Sequence, residues 1–305
     1  MSIRQITHHP KSYKTPYKAS DPDNNKRGQL YIVATPIGNL GDMSQRAIQT
    51  LSDVELILAE DTRKTRKLTS HFGISTPLQS LHEHNEQERA QTIVDLLQQG
   101  QHIALVSDAG TPLISDPGYR LVTSVADANV NIIPIPGASA VITALSIAGL
   151  PTDRFMFEGF LPAKQPARQA YLKNNYYEMR TQVYYESSHR IHATLKDIQQ
   201  VFGDKRHIVI ARELTKLYED IFRGTIAQAH DWLVADTHRA KGEFVLIIAG
   251  NPEPPAPATE LIQTNILTTL LGELPVKQAA HLTAKITGQA KNAVYKQALQ
   301  SKNNK

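Results

Sequence analysis

The sequence predicts an α/β fold, with two α/β domains followed by a small helical C-terminal extension. Three observations predict it. The first half of the 305 residues repeats one unit, a short aliphatic strand, a loop rich in small residues and an amphipathic helix, as a parallel sheet with helical crossovers requires. The second half packs more β segments between fewer helices, which points to a mixed sheet. A Pro-rich stretch, residues 251–259, then separates both from lysine-bearing helical segments, and reads as a linker.

Residues 1–27 hold three prolines and show no hydrophobic period, so they are expected to form a disordered basic arm. The first domain is placed at 28–140. Its first strand, 30–34, runs into the loop Thr35-Pro36-Ile37-Gly38-Asn39-Leu40-Gly41-Asp42. Ser44 then caps a helix whose apolar positions are Ala47, Ile48, Leu51 and Val54. Strand 56–59 ends in Glu60-Asp61-Thr62-Arg63-Lys64-Thr65, a charged cluster that suits either a solvated helix start or a grip on ribose or phosphate. An amphipathic helix follows at 88–99.

The organising stretch is Gly100 to Gly118. Ile103 to Val106 is aliphatic and too short for a helix, as a central strand of a parallel sheet should be. Ser107, Asp108, Gly110, Thr111, Pro112, Ser115, Asp116, Pro117 and Gly118 follow it, supplying tight turns, bare backbone, hydroxyls and two carboxylates. Ligands in such sheets bind beyond the carboxyl ends of the strands. After helix 119–128 and strand 130–135, Pro136-Gly137-Ala138-Ser139-Ala140 opens a helix to Ala148. Small residues there let a ligand sit on free backbone N–H groups.

The second domain is placed at 141–250, with strands at 155–161, 182–186, 207–211 and 244–249 and helices ending near Phe202 and following Thr225. After the linker, 260–305 is expected to be a helical basic extension, with segments at 260–271, 276–287 and 290–299. It suits a small nucleic-acid contact module or a helical cap.

Composition narrows the function classes. Hydrophobic content is 41% and no apolar run approaches the length of a membrane span. There is no cysteine, which excludes disulfides, thiolate metal sites and a Cys nucleophile. The N-terminus lacks the apolar core of a signal peptide, so a cytoplasmic location and no membrane partner are expected. Residues 1–27 carry six bases against Asp21 and Asp23, and residues 277–305 carry six lysines and no acid, while the whole chain is only +4. The positive excess therefore lies at the two ends, which suggests a polyanionic partner. His82 and His84 lack an evident third ligand, and no metal is expected. Neither a G-x-G-x-x-G fingerprint nor a Walker A sequence occurs, which disfavours a nicotinamide enzyme.

Seven stretches together resemble the tetrapyrrole methylase superfamily, and within it the ribosomal RNA small-subunit methyltransferase I group. They are 33–40, Ala59-Glu60-Asp61-Thr62-Arg63, Val106-Ser107-Asp108-Ala109-Gly110-Thr111-Pro112, 136–140, Tyr185-Glu186-Ser187, Ala211-Arg212-Glu213-Leu214-Thr215-Lys216 and Lys241-Gly242-Glu243-Phe244. The resemblance covers residues 28–250, and the C-terminal segment is similar to that group's helix-turn-helix-like extension. The superfamily's broader Gly-Asp-Pro pattern is replaced here by Ser107-Asp108-Ala109, which fits the ribosomal RNA group better than the porphyrin-type members.

The resemblance implies two α/β domains of the tetrapyrrole methylase type with S-adenosyl-L-methionine in the cleft between them. It implies 2′-O-methylation of a cytidine ribose in small-subunit (16S) ribosomal RNA, with the subunit or its RNA as partner, and a homodimer. On it, the donor is assigned to Thr35, Pro36, Asp108, Ala109, Gly110, Ser115, Asp116, Ala138 and Ser139, with Glu186 and Leu214 closing over it. The chemistry is assigned to Glu60, Asp61, Glu213, Lys216 and Glu243, one of which takes the proton, and the RNA to Arg63, Lys64 and Arg212. The alternatives are a methyltransferase of the same fold acting on a porphyrin-type small molecule, or a non-catalytic ribosome assembly protein.

Overall fold

The computed structural model describes residues 27–252 and 258–303; the expected basic arm, apart from Arg27, and most of the expected linker lie outside the described residues. The first sheet contains β1 (Leu30–Val33), β2 (Leu56–Ala59), β3 (Leu78–Ser80), β4 (Ile103–Val106) and β5 (Ile132–Ile135). All are parallel, in the order β3-β2-β4-β1-β5. Each strand leads towards one of the helices α1 (Gln45–Asp53), α2 (Thr62–His71), α3 (Glu86–Gln98), α4 (Tyr119–Asp127) and α5 (Ala140–Ala148).

The central strand shows why its sequence is continuously apolar. Ile103 and Leu105 pack with Ala90, Ile93, Leu97, Leu121 and Val125 from α3 and α4. Ala104 and Val106 pack on the other face with Ala47 and Leu51 from α1. With helices on both faces, an outward position that water could reach does not exist, and each buried aliphatic side chain contributes about 1.5–3 kcal/mol.

Among the helices of the first sheet, α1 and α2 are capped locally and α4 remotely. The Ser44 hydroxyl accepts from Ala47 N at 3.1 Å, and the Asp61 carboxylate accepts from Arg63 N at 2.9 Å. At α4 the capping position is Gly118, at φ +129°, where a Cβ would come within 2.9 Å of Leu105 Cδ2. It has no side chain to cap with. Glu86 of α3, 5% exposed, substitutes: its Oε1 accepts from Leu121 N at 2.9 Å.

The second sheet contains β6 (Phe155–Phe160), β7 (Thr181–Ser187), β8 (His207–Arg212), β9 (Asp220–Thr225) and β10 (Glu243–Ile248), in the order β6-β7-β10-β8-β9. Only β6 and β7 run parallel, so the sheet is mixed. Helices α6 (Gln165–Asn174), α7 (Ile191–Phe202) and α8 (Ile226–Ala235) cover one face, over Tyr184, Ile208, Ile210 and Leu246. The other face, with Val183, Val209, Val245 and Ile247, packs under Val141, Ala144 and Leu145 of α5. Thus α5 leaves the last strand of the first sheet and covers the second. Both sheets belong to one compact unit, residues 27–176 and 180–249.

Within that unit, α6 and α7 are joined by a buried ion pair, Arg168 Nη2 to Asp197 Oδ2 at 2.5 Å. Gln165 and Gln169 donate to Asp197 Oδ1, and Arg168 Nη1 to the carbonyls of Pro162 and Ala163. Burial opposes ionisation of Asp197, but the hydrogen bonds from Gln169, Gln165 and Arg168 hold its carboxyl below the usual range.

The second compact unit contains residues 177–179 and the C-terminal helices α9 (Ala258–Glu273), α10 (Val276–Thr287) and α11 (Lys291–Asn303). Leu267, Ala279, Ala280, Ala284, Val294 and Ala298 form its small core. Gly288, at φ +71°, ends α10 in the left-handed conformation that makes the turn into α11. Lys277, Lys285, Lys291 and Lys296 are exposed.

Four elements, α2, β3, α6 and β9, were not placed from the sequence. Helix α2 reads TRKTRKLTSH and buries only Thr65 and Thr69, so it has almost no apolar stripe to betray it.

Candidate functional site

The strand order puts the carboxyl ends of β1 and β4 side by side, with the chain departing to opposite sides of the sheet, which is a topological switch point. Thr35 and Gly110 tie the two loops together through reciprocal backbone hydrogen bonds of 2.8 and 3.0 Å. Thr111 Oγ1 donates to Ala138 O at 3.1 Å and fastens the third loop to the second. Beyond these loops lies a cleft of about 510 Å³.

Of the residues assigned to the donor, Asp108, Ala109, Gly110, Ser115, Asp116, Ser139, Glu186 and Leu214 line this cleft. Thr35, Pro36 and Ala138 do not. Thr35 is 2% exposed and spends its backbone on Gly110, and Ala138 offers its carbonyl to Thr111. Their part is to hold the loops rather than to line the space between them. Ser139 occupies the position before α5 and makes no capping bond with its side chain, while the backbone of Val141, in the first turn, hydrogen-bonds the Tyr185 hydroxyl.

Among the residues assigned to chemistry, Glu60, Lys216 and Glu243 line the cleft, as does Lys64. Asp61 and Glu213 stand just behind them. Asp108 ties this corner together: its Oδ1 accepts from Asp61 N at 3.0 Å and its Oδ2 pairs with Lys64 Nζ at 2.7 Å. The hydrogen bond to Asp108 is the main reason the Lys64 amine is raised above the ordinary lysine value. Asp61 caps α2 and forks onto the Arg63 guanidinium at 3.0 and 2.7 Å, and these bonds hold its carboxyl well below the usual range.

Lys216 forms the opposite wall. Its Nζ bridges Glu213 Oε1 at 2.9 Å and Glu243 Oε2 at 2.8 Å. Its stem crosses Gly38, where a Cβ would stand 2.4 Å from Lys216 Cγ. Glu213 Oε1 also accepts from Glu243 N at 2.9 Å. Burial opposes the charge on Lys216, yet its hydrogen bonds to Glu243 and Glu213 outweigh it and raise the amine. Glu213 is correspondingly lowered against its own burial, chiefly by Lys216.

Two carboxyls in the cleft go the other way. Burial, and then the Asp108 carboxylate, raise Glu60. Asp116 is pushed up to about 6 by burial, with Glu60 and Asp108 adding to it against a hydrogen bond from Ser107.

Arg212 stands outside the cleft. It is 9% exposed, and its Nε and Nη1 donate to Lys241 O at 2.6 Å and Tyr218 O at 3.0 Å. It therefore shapes the loops that carry Lys216 and Glu243. Arg63 remains exposed beside Asp61. Glu186 lines the cleft but is 2% exposed, with Thr194 Oγ1 at 2.6 Å, Ser187 N at 2.8 Å and the Arg190 guanidinium as partners. Ile37, Ile114, Phe160 and Tyr185 also line the cleft. No site role was read for them in the sequence; for Tyr185 the signal was its place in the Tyr185-Glu186-Ser187 stretch. Burial and the Asp116 carboxylate push the Tyr185 hydroxyl up to about 12. Among the described residues, no group of three or more His, Asp or Glu side chains is placed to hold a metal ion.

The family model for Tetrapyrrole (Corrin/Porphyrin) Methylases matches residues 29–230, and that for the RsmI C-terminal HTH domain matches residues 258–302. The chain is 52% identical to Ribosomal RNA small subunit methyltransferase I of Escherichia coli O157:H7 over 91% of its own length and 96% of that protein's. It is also 52% identical to the protein of the same name from Haemophilus influenzae, over 88% and 95%. Among solved structures, cobalt precorrin-4 methyltransferase shares the fold at 15% identity, with a TM-score of 0.55 over 76% of this chain and 98% of that one. The chain belongs to the tetrapyrrole methylases, in the group of ribosomal RNA small subunit methyltransferase I.

Proposed function

We propose that this chain transfers the methyl group of S-adenosylmethionine to the ribose 2′-oxygen of a cytidine in small-subunit ribosomal RNA. The observation that carries the reading is the identity of 52% across nine-tenths of the chain with proteins named for methylation of that RNA. Basic side chains on the C-terminal helices, Lys277, Lys285, Lys291 and Lys296, suit an RNA acceptor and are superfluous for a porphyrin.

The residues of the cleft fit the donor. The start of α5 at Ser139, which lacks a side-chain cap, suits its carboxylate. Glu60 and Asp108 suit its positive charges, and Ile37, Tyr185, Leu214 and Val245 offer apolar surface to its base. When bound, it supplies a methyl group already activated by a positive sulfur. The chain must then mainly hold the acceptor hydroxyl in line, and alignment is worth roughly 7–11 kcal/mol. A general base adds about 10²–10⁴ in rate.

The environments divide the labour. Lys216, held by two carboxylates, is a fixed cation at neutral pH and serves to position the acceptor. Asp61, tied to Arg63, is a weak base. Asp116, pushed up to about 6 by burial in the cleft, is the carboxylate best suited to take the hydroxyl proton. A cytoplasmic homodimer belongs to the same proposal, with sedimentation as its check.

The test is methyl transfer from labelled donor to undermethylated small subunits, naked ribosomal RNA and a porphyrin precursor, run side by side. The expected result is label in the subunit's RNA that blocks alkaline cleavage at one linkage. Label in the porphyrin alone would overturn the reading, and donor binding without any transfer would favour an assembly protein.

A further inference from the structure

Strand β6 carries an irregularity that changes where one aromatic ring points. Phe157 stands opposite Val183 of β7, but the next pair is Phe160 with Tyr185, so three residues of β6 span two of β7. One residue is extra, and the strand bulges. Gly159 sits in the bulge at φ +63°, a left-handed conformation that favours glycine, and a Cβ there would press on the Ser115 hydroxyl at 3.1 Å.

In a regular strand, residues 157 and 160 would face opposite sides of the sheet. The bulge puts them on the same side, because Val183 and Tyr185 are two apart and share a face. Both rings consequently meet Tyr185 edge to face, Phe157 at 4.8 Å and Phe160 at 5.5 Å between centroids. Phe157 is half-buried and Tyr185 lines the cleft, whereas Phe160 is 55% exposed and lines it too. Ser187 and Ser188 line the same cleft.

A half-exposed phenylalanine stabilises little by burial, so the bulge is not explained by packing. A small donor is largely enclosed when bound, since such ligands lose 70–90% of their surface. A large acceptor must instead bring one nucleotide to the mouth. There an aromatic ring held rigid by a neighbour, with hydroxyls nearby, is what single-stranded RNA recognition uses: the ring takes the face of a base and the hydroxyls its edge. We infer that Phe160 is a positioning residue on which the base of the acceptor nucleotide stacks, fixing its ribose relative to the donor. This rests on the proposed RNA substrate.

The test compares Phe160→Leu and Phe160→Trp with wild type, using undermethylated small subunits and, separately, titration with S-adenosylhomocysteine. Phe160→Leu keeps an apolar side chain and removes the aromatic face; it should raise the KM for the subunit about tenfold or more. Phe160→Trp should stay within about threefold of wild type, and affinity for S-adenosylhomocysteine should be unchanged in both. Wild-type KM in Phe160→Leu would overturn the inference, as would an equal loss in Phe160→Trp, which would mean packing. A parallel loss of S-adenosylhomocysteine affinity would assign the ring to the donor's adenine. If wild type itself labels no RNA, the proposed substrate fails and the inference falls with it, an outcome separate from a failure confined to the variants.

Discussion

Thr35 and Gly110 lie 75 positions apart and hold each other by two backbone hydrogen bonds, N to O at 2.8 Å and O to N at 3.0 Å. The bridge lies outside the regular ladders. It makes the loops after β1 and β4 a single rigid edge, against which Ile37 and Ala109 present themselves to the cleft.

Gly110 adopts φ +78°, and a Cβ there would meet Ile37 Cγ2 at 3.3 Å. Gly110→Ala should cost about 1–2 kcal/mol of stability and weaken donor binding by about tenfold. Gly73 has a similar φ of +69° with nothing within 4 Å. Gly73→Ala should cost about as much stability with donor affinity intact. Thermal unfolding and donor titration on the pair separate strain from site geometry.

Asp116, pushed up to about 6, predicts a pH dependence in both activity and stability. As the base, it must be ionised, so kcat/KM should fall as pH drops through about 6, and Asp116→Asn should lose that limb and about 10² or more in rate. For stability the sign is opposite. Between the ordinary value of 3.8 and about 6 the folded protein holds more protons than the unfolded chain, so its stability falls as pH rises across that window. Asp116→Asn should flatten this fall; a pH–rate profile and urea unfolding at pH 4 to 7 measure both.

Lys216→Ala removes the cation between Glu213 and Glu243. Turnover should fall by about 10²-fold or more with donor affinity unchanged, and stability should shift by less than about 1 kcal/mol because the cluster is partly exposed. Wild-type turnover would remove Lys216 from the acceptor's path.

Asp61 combines a helix cap with a place behind the cleft. Asp61→Ala should lose about 1 kcal/mol from α2, and Asp61→Ser should regain most of it. Turnover in Asp61→Ser then reads the carboxylate's own share, free of the helix.

Arg168→Ala leaves Asp197 buried without its counter-charge and should cost about 3–5 kcal/mol. Removing Asp197 as well should cost less than the sum of the two single changes. Urea unfolding of the three variants provides the cycle.

Four strands of the first sheet were legible in the sequence because they are short aliphatic runs followed by loops that concentrate glycine, proline and hydroxyls, a contrast that the fully buried β4 displays best, whereas the three-residue edge strand β3 was not. The mostly polar α2 was not, because its fully buried residues are two threonines and Leu68 is its one apolar side chain on the core. Residues that line the cleft were legible where side chain and loop type agree, as at Asp108 and Ser139. Arg212 was read as a phosphate grip because charge at a strand end looks alike whether it faces water or two carbonyls. Phe160 stayed hidden for a geometric reason. Its direction depends on a one-residue register shift against β7, and a shift between strands leaves no mark in either one alone.

The strand order also has a bearing on synthesis. β1 and β2 share no ladder; β4 lies between them and bonds to both. A nascent chain that has reached residue 100 therefore owns β1 on one side and the β2–β3 pair on the other, without the strand that joins them. Its two halves cannot join until Ile103 to Val106 emerge, and the Thr35–Gly110 edge of the cleft comes into being in that same event, before β5 adds the last strand beside β1. A truncation upstream of that strand gives no reduced version of the site, only strands with unmatched apolar faces, which makes this the stretch over which a ribosome-bound chain most needs shielding.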